Sequence, residues 1–236
     1  MGTIGIIGGM GPAATADLFC KITANTAAET DQQHLRVLID SNTAIPDRTA
    51  AIAQGDKTPL YALLRSALAL EQMGADLLIM ACNTAHHFYP DMLPYLRVPF
   101  LNMPEETALH LERQGLSRVG LLATDGMLQT GIYERALGRR GIEALLPDEQ
   151  GQRAVVALIY EGVKAERLEG YDIAPLCGAL DKLMAAGAQA LLLACTELPL
   201  AFAHFALPYP GVDPTLVLAR AAILRAGGRL REAPGR

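Results

Sequence analysis

With 236 residues, 51% of them hydrophobic and 19% charged, the chain can bury a substantial core, which excludes general disorder. Its net charge of −5 comes from interspersed acids and bases, so there is no basic stripe to grip nucleic acid. No apolar run reaches the ~18 residues that a membrane span requires, and MGTIGIIGGMG lacks the basic n-region of a secretion signal.

TIGIIG (3–8) is predicted to be a buried strand, and Pro12 to Thr26 a helix with Pro in its first turn. RVLIDS (36–41) is a second strand, and Pro59 to Met73 a helix stopped by Gly74. ADLLIMAC forms a third strand and VPFLNM (98–103) a fourth, followed by a helix from about Pro104 to Gln114. Strands separated by helices of this length imply βαβ units and a parallel sheet. The pattern then restarts with RVGLLAT (118–124) as a strand, Gln129 to Arg140 as a helix and EALLP (143–147) as a strand. A helical region through Arg153 to Tyr160 follows, then a helix from Ala174 to Ala186 closed by Gly187, and the strand AQALLLAC. A last helix starts near Pro214, and the Gly-rich basic tail RAGGRLREAPGR is expected to fray.

The restart has landmarks. Gly-Ala precedes each cysteine-ending strand, at Gly74-Ala75 and Gly187-Ala188, and the same interval separates Cys82 from Cys195. Ile4-Gly5 and Val119-Gly120 repeat at nearly that interval. The expected fold is therefore α/β: two similar domains with mainly parallel sheets, related by internal duplication, with the active site in the cleft between them. The first domain is read as residues 1–103 with the C-terminal helix 212–236, the second as 104–211. In open α/β sheets chemistry gathers at the carboxyl ends of strands, which is where Cys82 and Cys195 fall.

GMGPAA (9–14) fits the weak form of a dinucleotide fingerprint, but the acidic candidate Asp40 lies nearer 30 residues beyond it than the usual ~20. A narrower reading is a Gly-rich turn whose backbone N–H groups suit a small anion. Arg48, in SNTAIPDR, has the planar fork best able to grip a carboxylate on the carboxyl rim, and Lys164 sits in YEGVKAE. Taken alone, both read as ordinary surface cations. The four cysteines show no CxxC pairing, which disfavours a zinc or thioredoxin-like site and fits a cytoplasmic protein with reduced thiols.

A single cysteine ending an apolar strand is ordinarily a small buried hydrophobe. Two at equivalent places of a duplication, each followed by hydrogen-bonding residues (Asn83-Thr84 and Thr196-Glu197), point to chemistry instead. A Cys-His hydrolase would pair one thiol with His86 or His87 but has no use for a second, symmetric cysteine. In a two-base scheme one thiolate removes a proton from a carbon acid and the opposite thiol returns one, so the same group is needed on both sides.

GIIGGMGPAAT, SNTAIPDR, ACNTAHHF, VGLLAT and ACTELPL together resemble the aspartate/glutamate racemase family, most nearly its aspartate racemase branch, over almost the whole chain. The resemblance implies two facing α/β domains, a homodimer, and racemisation of aspartate or glutamate without pyridoxal phosphate or metal. It implies Cys82 and Cys195 as the paired bases, with Cys195 acting on the L-enantiomer and Cys82 on the D-enantiomer. Met10, Asn83, Thr84, Thr124 and Thr196 would line or hold the α-carboxylate and amino end, and Arg48 and Lys164 would grip the side-chain carboxylate. Other substrates known to the wider superfamily, maleate-like or hydantoin-like, remain open, as does a non-catalytic carboxylate-binding protein. No nucleic-acid or membrane partner is expected.

Overall fold

The computed structural model describes residues 1–232, which divide into two compact units: Met1–Glu106 with the segment from Thr215 onward, and Thr107–Pro214. In the first unit, strand β1 (Ile4–Gly8) is buried along its whole length. It lies between β2 (Val37–Ser41) and β3 (Leu77–Met80), both parallel to it, in the order β2-β1-β3. Helix α1 (Pro12–Asn25) follows β1 with Pro at its start, where the missing N–H costs nothing. After β2 come α2 (Arg48–Gln54) and α3 (Thr58–Gln72).

A central parallel strand must be apolar on both faces, and β1 is. Ile4 and Ile6 join Leu18 and Ile22 of α1 and Leu218, Ala222 and Ile223 of the C-terminal helix Pro214–Arg225. Ile7 joins Leu60, Leu63 and Ala67 of α3 on the other face. Beyond β3 the chain makes short helical turns, including α4 (Tyr89–Met92), before α5 (Met103–Arg113).

The second unit repeats the plan. Strand β4 (Arg118–Leu122) is flanked by β5 (Glu143–Leu145) and β6 (Ala190–Leu193), and β7 (Gly211–Val212) adds a fourth parallel strand in the order β5-β4-β6-β7. Its helices are α6 (Asp125–Thr130), α7 (Ile132–Gly138), α8 (Glu149–Ala157) continued by a π-helical stretch Leu158–Val163, α9 (Ala174–Ala185) and α10 (Leu198–His204).

The duplication read from the sequence is visible bond by bond. Ala75 N–H donates to Leu70 O (3.0 Å) in one unit, and Ala188 N–H to Leu183 O (3.1 Å) in the other. Leu78 N–H donates to Pro99 O (2.9 Å), and Leu191 N–H to Pro210 O (2.8 Å). A Cβ on Gly5 would lie 2.8 Å from Leu78 Cδ2, and one on Gly120 2.8 Å from Leu191 Cδ2, so a bare backbone is needed at the same point of each sheet.

Four expectations are corrected. VPFLNM is not a full strand: it meets β3 at one parallel bridge, Leu78–Phe100, then enters α5 at Met103. The helix expected from Gln129 to Arg140 is broken at Gly131, whose φ of 60° is left-handed and closes α6. Helices α2 and α10 were not anticipated, because each opens directly out of a segment read as a motif. The tail does not fray through residue 231, since Ala27 N–H donates to Arg229 O (2.9 Å) and Arg231 N–H to Asn25 O (2.7 Å). Its last four residues lie outside the described residues. Among the described residues no helix is long and apolar enough to cross a membrane.

The Gly-rich turn after β1 has a structural use. Gly9 N–H donates to Thr15 Oγ1 (2.9 Å), whose hydroxyl donates to Gly11 O (2.9 Å). Gly9 has φ of 88°, and a Cβ there would lie 2.3 Å from the backbone carbon of Asn42. The glycine thus lets the turn close against the exit of β2. Gly9→Ala combines a left-handed backbone with a backbone clash and is expected to destabilise the fold by about 2–4 kcal/mol. Urea unfolding of the variant beside the wild type measures this.

Candidate active site

Strands β3 and β6 each stop just before a cysteine. The last ladder bonds are Ala81 N–H to Ile7 O (3.0 Å) and Ala194 N–H to Leu122 O (2.8 Å). Cys82 and Cys195 are the next residues, 7% and 8% exposed. All four cysteines are free thiols, and the other two, Cys20 and Cys177, are exposed and half-buried.

In the first unit Cys82 shares an apolar cluster with Met10 and Ile45. Around that cluster the chain arranges carbonyls for Arg48, the first residue of α2. Arg48 Nη1 donates to Ile45 O (3.2 Å) and Pro46 O (2.9 Å), and Nη2 to Met10 O (3.5 Å). Its Nε is buried with no hydrogen-bond partner, and no carboxylate lies within ion-pair distance of it, among the described residues. Neutral carbonyls orient the guanidinium without cancelling its charge, so it stays able to receive an anion. Met10, Arg48 and Cys82 are thus brought together, and Asn83 and Thr84 follow the thiol as buried residues.

His86 straps this segment in place. Its Nδ1 is 2.8 Å from Cys82 O, and its Nε2 accepts the N–H of Met103 (3.1 Å). The pair of partners defines the neutral Nδ1–H tautomer. Burial drives the ring's pKa down from 6.5 to about 4 against the opposing pull of the Cys82, Asn83 and Leu101 backbones. With both nitrogens engaged by main chain, His86 is a scaffold for the Cys82 turn and not an acid or base.

In the second unit Thr124 leaves β4 beside the departure of Cys195 from β6, and it caps α6 by accepting Met127 N–H (3.2 Å). Cys195 Sγ–H donates to Glu197 Oε2 (3.0 Å), which also accepts from Thr196 Oγ1 (3.0 Å). Lys164 Nζ lies 3.9 Å from Glu197 Oε1 and 4.8 Å from the centre of the Tyr160 ring. The wide π-helical stretch sets this lysine down, ending with Lys164 N–H on Ile159 O (3.0 Å). Lys164, Cys195 and Thr196 therefore meet through Glu197.

Burial first, then the Glu197 carboxylate, push the Cys195 thiol well above its ordinary pKa, with Lys164 acting weakly the other way. Cys195 rests as a proton donor. Glu197, 6% exposed, is the residue that sequence reasoning undervalued: it stands there as a hydrogen-bonding neighbour of the cysteine and not among the expected site residues. Its place two residues after a strand-ending cysteine was the available signal.

The family model described as Asp/Glu/Hydantoin racemase matches residues 7–222, and the chain belongs to that family. It is an isomerase of the Asp/Glu racemase type. It is similar to the aspartate racemase of Picrophilus torridus, with 34% identity, a TM-score of 0.86, and coverage of 98% of this chain and 96% of that one. A broad-specificity amino-acid racemase of Bacillus subtilis is 26% identical over 226 residues, 93% of this chain and 96% of the relative. An aspartate racemase homologue from Pyrococcus horikoshii shares the fold, with 24% identity, a TM-score of 0.78, and coverage of 96% and 100% of the two chains.

The His86 strap has a pH signature. In the unfolded chain the ring titrates near 6.5, and in the fold near 4. Between those values the unfolded state binds the extra proton, so stability is full above about pH 6.5 and falls as pH drops toward 4, by roughly 3 kcal/mol in all. His86→Gln is expected to flatten the fall in unfolding free energy between pH 7 and pH 4.5, as read by denaturant titration at the two pH values.

Proposed function

We propose that this protein racemises an acidic amino acid, aspartate before glutamate, by a cofactor-independent exchange of the α-proton between Cys82 and Cys195. The observation that carries the reading is the pair of buried thiols, each the first residue past the last ladder bond of the equivalent strand in a duplicated unit. Family membership and the likeness to an aspartate racemase support it.

The roles follow from donor and acceptor capacity. The Thr124 hydroxyl oxygen accepts a backbone N–H, which leaves its proton to donate to an α-carboxylate. Thr196 gives its proton to Glu197, so its oxygen suits an ammonium. Asn83 and Thr84, buried behind Cys82, supply further polar contacts to the same end, and Met10 an apolar wall. Arg48 and Lys164 hold the side-chain carboxylate and so fix the α-carbon relative to the sulfurs. The α-proton of an amino acid is a weak acid, and preorganised donors on the α-carboxylate lower the barrier by favouring its enediolate-like form. Cys195 would face the L-enantiomer and Cys82 the D-enantiomer. Assembly as a homodimer belongs to the same reading.

A broader substrate range is a second reading, favoured by the likeness to the Bacillus subtilis broad-specificity racemase. The two differ in how strongly Arg48 is used. Arg48→Ala is expected to reduce kcat/KM for aspartate by about 100-fold, the loss of a charge-assisted contact of roughly 3 kcal/mol, and to change alanine turnover little. Equal losses on both substrates would favour the broader reading.

The deciding measurement is solvent-deuterium incorporation at the α-carbon of aspartate, followed by NMR. Exchange is expected in the wild type, with racemisation reduced by at least about 1,000-fold in Cys82→Ala and in Cys195→Ala. Normal interconversion by either variant would defeat the two-base scheme, and a wild type with no exchange would indicate a binding protein.

A further inference from the structure

The two central strands leave their sheets in different ways. In the first unit β1 and β2 stay paired to the end, from Ile4–Val37 through Gly8–Ser41. In the second, β4 and β5 pair only from Arg118–Glu143 to Gly120–Leu145, so β4 runs on past this neighbour. On its other side β4 remains bonded to β6 as far as Leu122 O, which takes Ala194 N–H (2.8 Å). The next carbonyl, Ala123 O, belongs to a fully buried residue just before Thr124. A buried carbonyl past the end of its ladder needs a donor from elsewhere. It finds one in the side-chain amide of Gln152 on α8 (3.0 Å).

Gln152 does more than satisfy that carbonyl. The same Nε2 donates to Asp125 Oδ1 (2.7 Å), so one amide bonds the residue before Thr124 and the residue after it. Both partners accept, which fixes the nitrogen end of the amide toward them. Its Oε1 is buried and, among the described residues, meets no donor. An orphaned buried oxygen is destabilising, and an apolar side chain of the same length would avoid it. The amide is therefore placed for its two N–H bonds. Asp125 and Gln152 also line a cavity of about 500 Å³ together with Tyr160, whose ring centre is 4.8 Å from Lys164 Nζ. The amide bracket thus stands on the side of the second unit that carries candidate substrate groups.

We infer that Gln152 is a positioning residue for Thr124, holding its hydroxyl where it donates to the α-carboxylate of the amino acid. The inference rests on the racemase reading and on Thr124 as a carboxylate donor. Thr124 Oγ1 accepts Met127 N–H (3.2 Å), and that bond sets the oxygen relative to α6. It does not set α6 relative to β4. Gln152 supplies this second constraint by tying Ala123, at the end of β4, to Asp125, the first residue of α6. The first unit closes the exit of β1 without such a bracket, because Gly9 packs directly against the backbone of Asn42. A donor aids catalysis only if it lies within hydrogen-bond distance of the oxygen on which charge develops. A displacement of about 1 Å can cost about 100-fold in rate.

The test measures kcat and KM for L-aspartate in Gln152→Met, Thr124→Val and the double variant. Gln152→Met keeps the length of the side chain and removes the amide. It is expected to lose about 30-fold in kcat with KM within about threefold, since the α-carboxylate gains charge only as the proton leaves. Thr124→Val should lose about 300-fold in kcat. In the Thr124→Val background the Gln152 substitution should lower kcat by less than about threefold more, because the group that it positions is already gone. An amide that merely stabilised the fold would give losses that multiply. That outcome, a Gln152→Met enzyme with wild-type kcat, or an unimpaired Thr124→Val enzyme would each overturn the inference. Gln152→Glu guards against a variant that fails to fold: it keeps the shape but turns an acceptor toward Ala123 O and Asp125. It should lose at least as much kcat as Gln152→Met, again with little further loss when Thr124 is already replaced. Absence of α-deuterium exchange on L-aspartate in the wild type would instead defeat the racemase reading itself.

Discussion

Everything at the candidate site depends on where two hydrogen-bond ladders stop. Ala81 N–H on Ile7 O and Ala194 N–H on Leu122 O are the last bonds that tie β3 and β6 to their central strands. One residue later each chain turns, and the residue at the turn is a cysteine. A side chain at that point is held by a rigid strand behind it, while the backbone beyond is free to form helical turns. That gives a thiol both a fixed position and neighbouring polar groups, which a cysteine in mid-strand would lack.

The same frame carries two different local chemistries. Behind Cys82 the chain inserts His86, whose ring bonds main chain on both sides and is kept neutral by burial. Behind Cys195 it inserts Glu197, which accepts the thiol's hydrogen bond, adds to burial in pushing the thiol's pKa up, and lies 3.9 Å from Lys164. The duplication explains why two thiols sit at equivalent points, and the divergence at positions 84 and 197 gives them different hydrogen-bond surroundings.

The cations show a related economy. Arg48 is aimed by the carbonyls of Ile45, Pro46 and Met10, which hold it without neutralising it. Lys164 is set down by a π-helical stretch and shared with a buried carboxylate. In a protein of net charge −5, these local arrangements and not the overall balance are what can draw in an acidic ligand.

Much of this was legible in the chain. Periodicity and glycine stops located the buried strands β1, β3, β4 and β6, because continuous apolar runs can only serve as central strands of a covered parallel sheet. The matched Gly-Ala and cysteine intervals exposed the duplication. What escaped was whatever depends on partners distant in sequence. VPFLNM has the composition of a strand but finds only one bridge, and the basic tail is pinned by the end of α1. The sequence by itself determined the α/β class, the repeat and the placing of two cysteines at equivalent strand ends, because these are properties of local pattern and spacing. Only the tertiary structure decided that His86 is a neutral strap and that Glu197 accepts the hydrogen bond of the buried Cys195 thiol, because a group's charge depends on what lies within a few ångströms of it once the chain has closed around it.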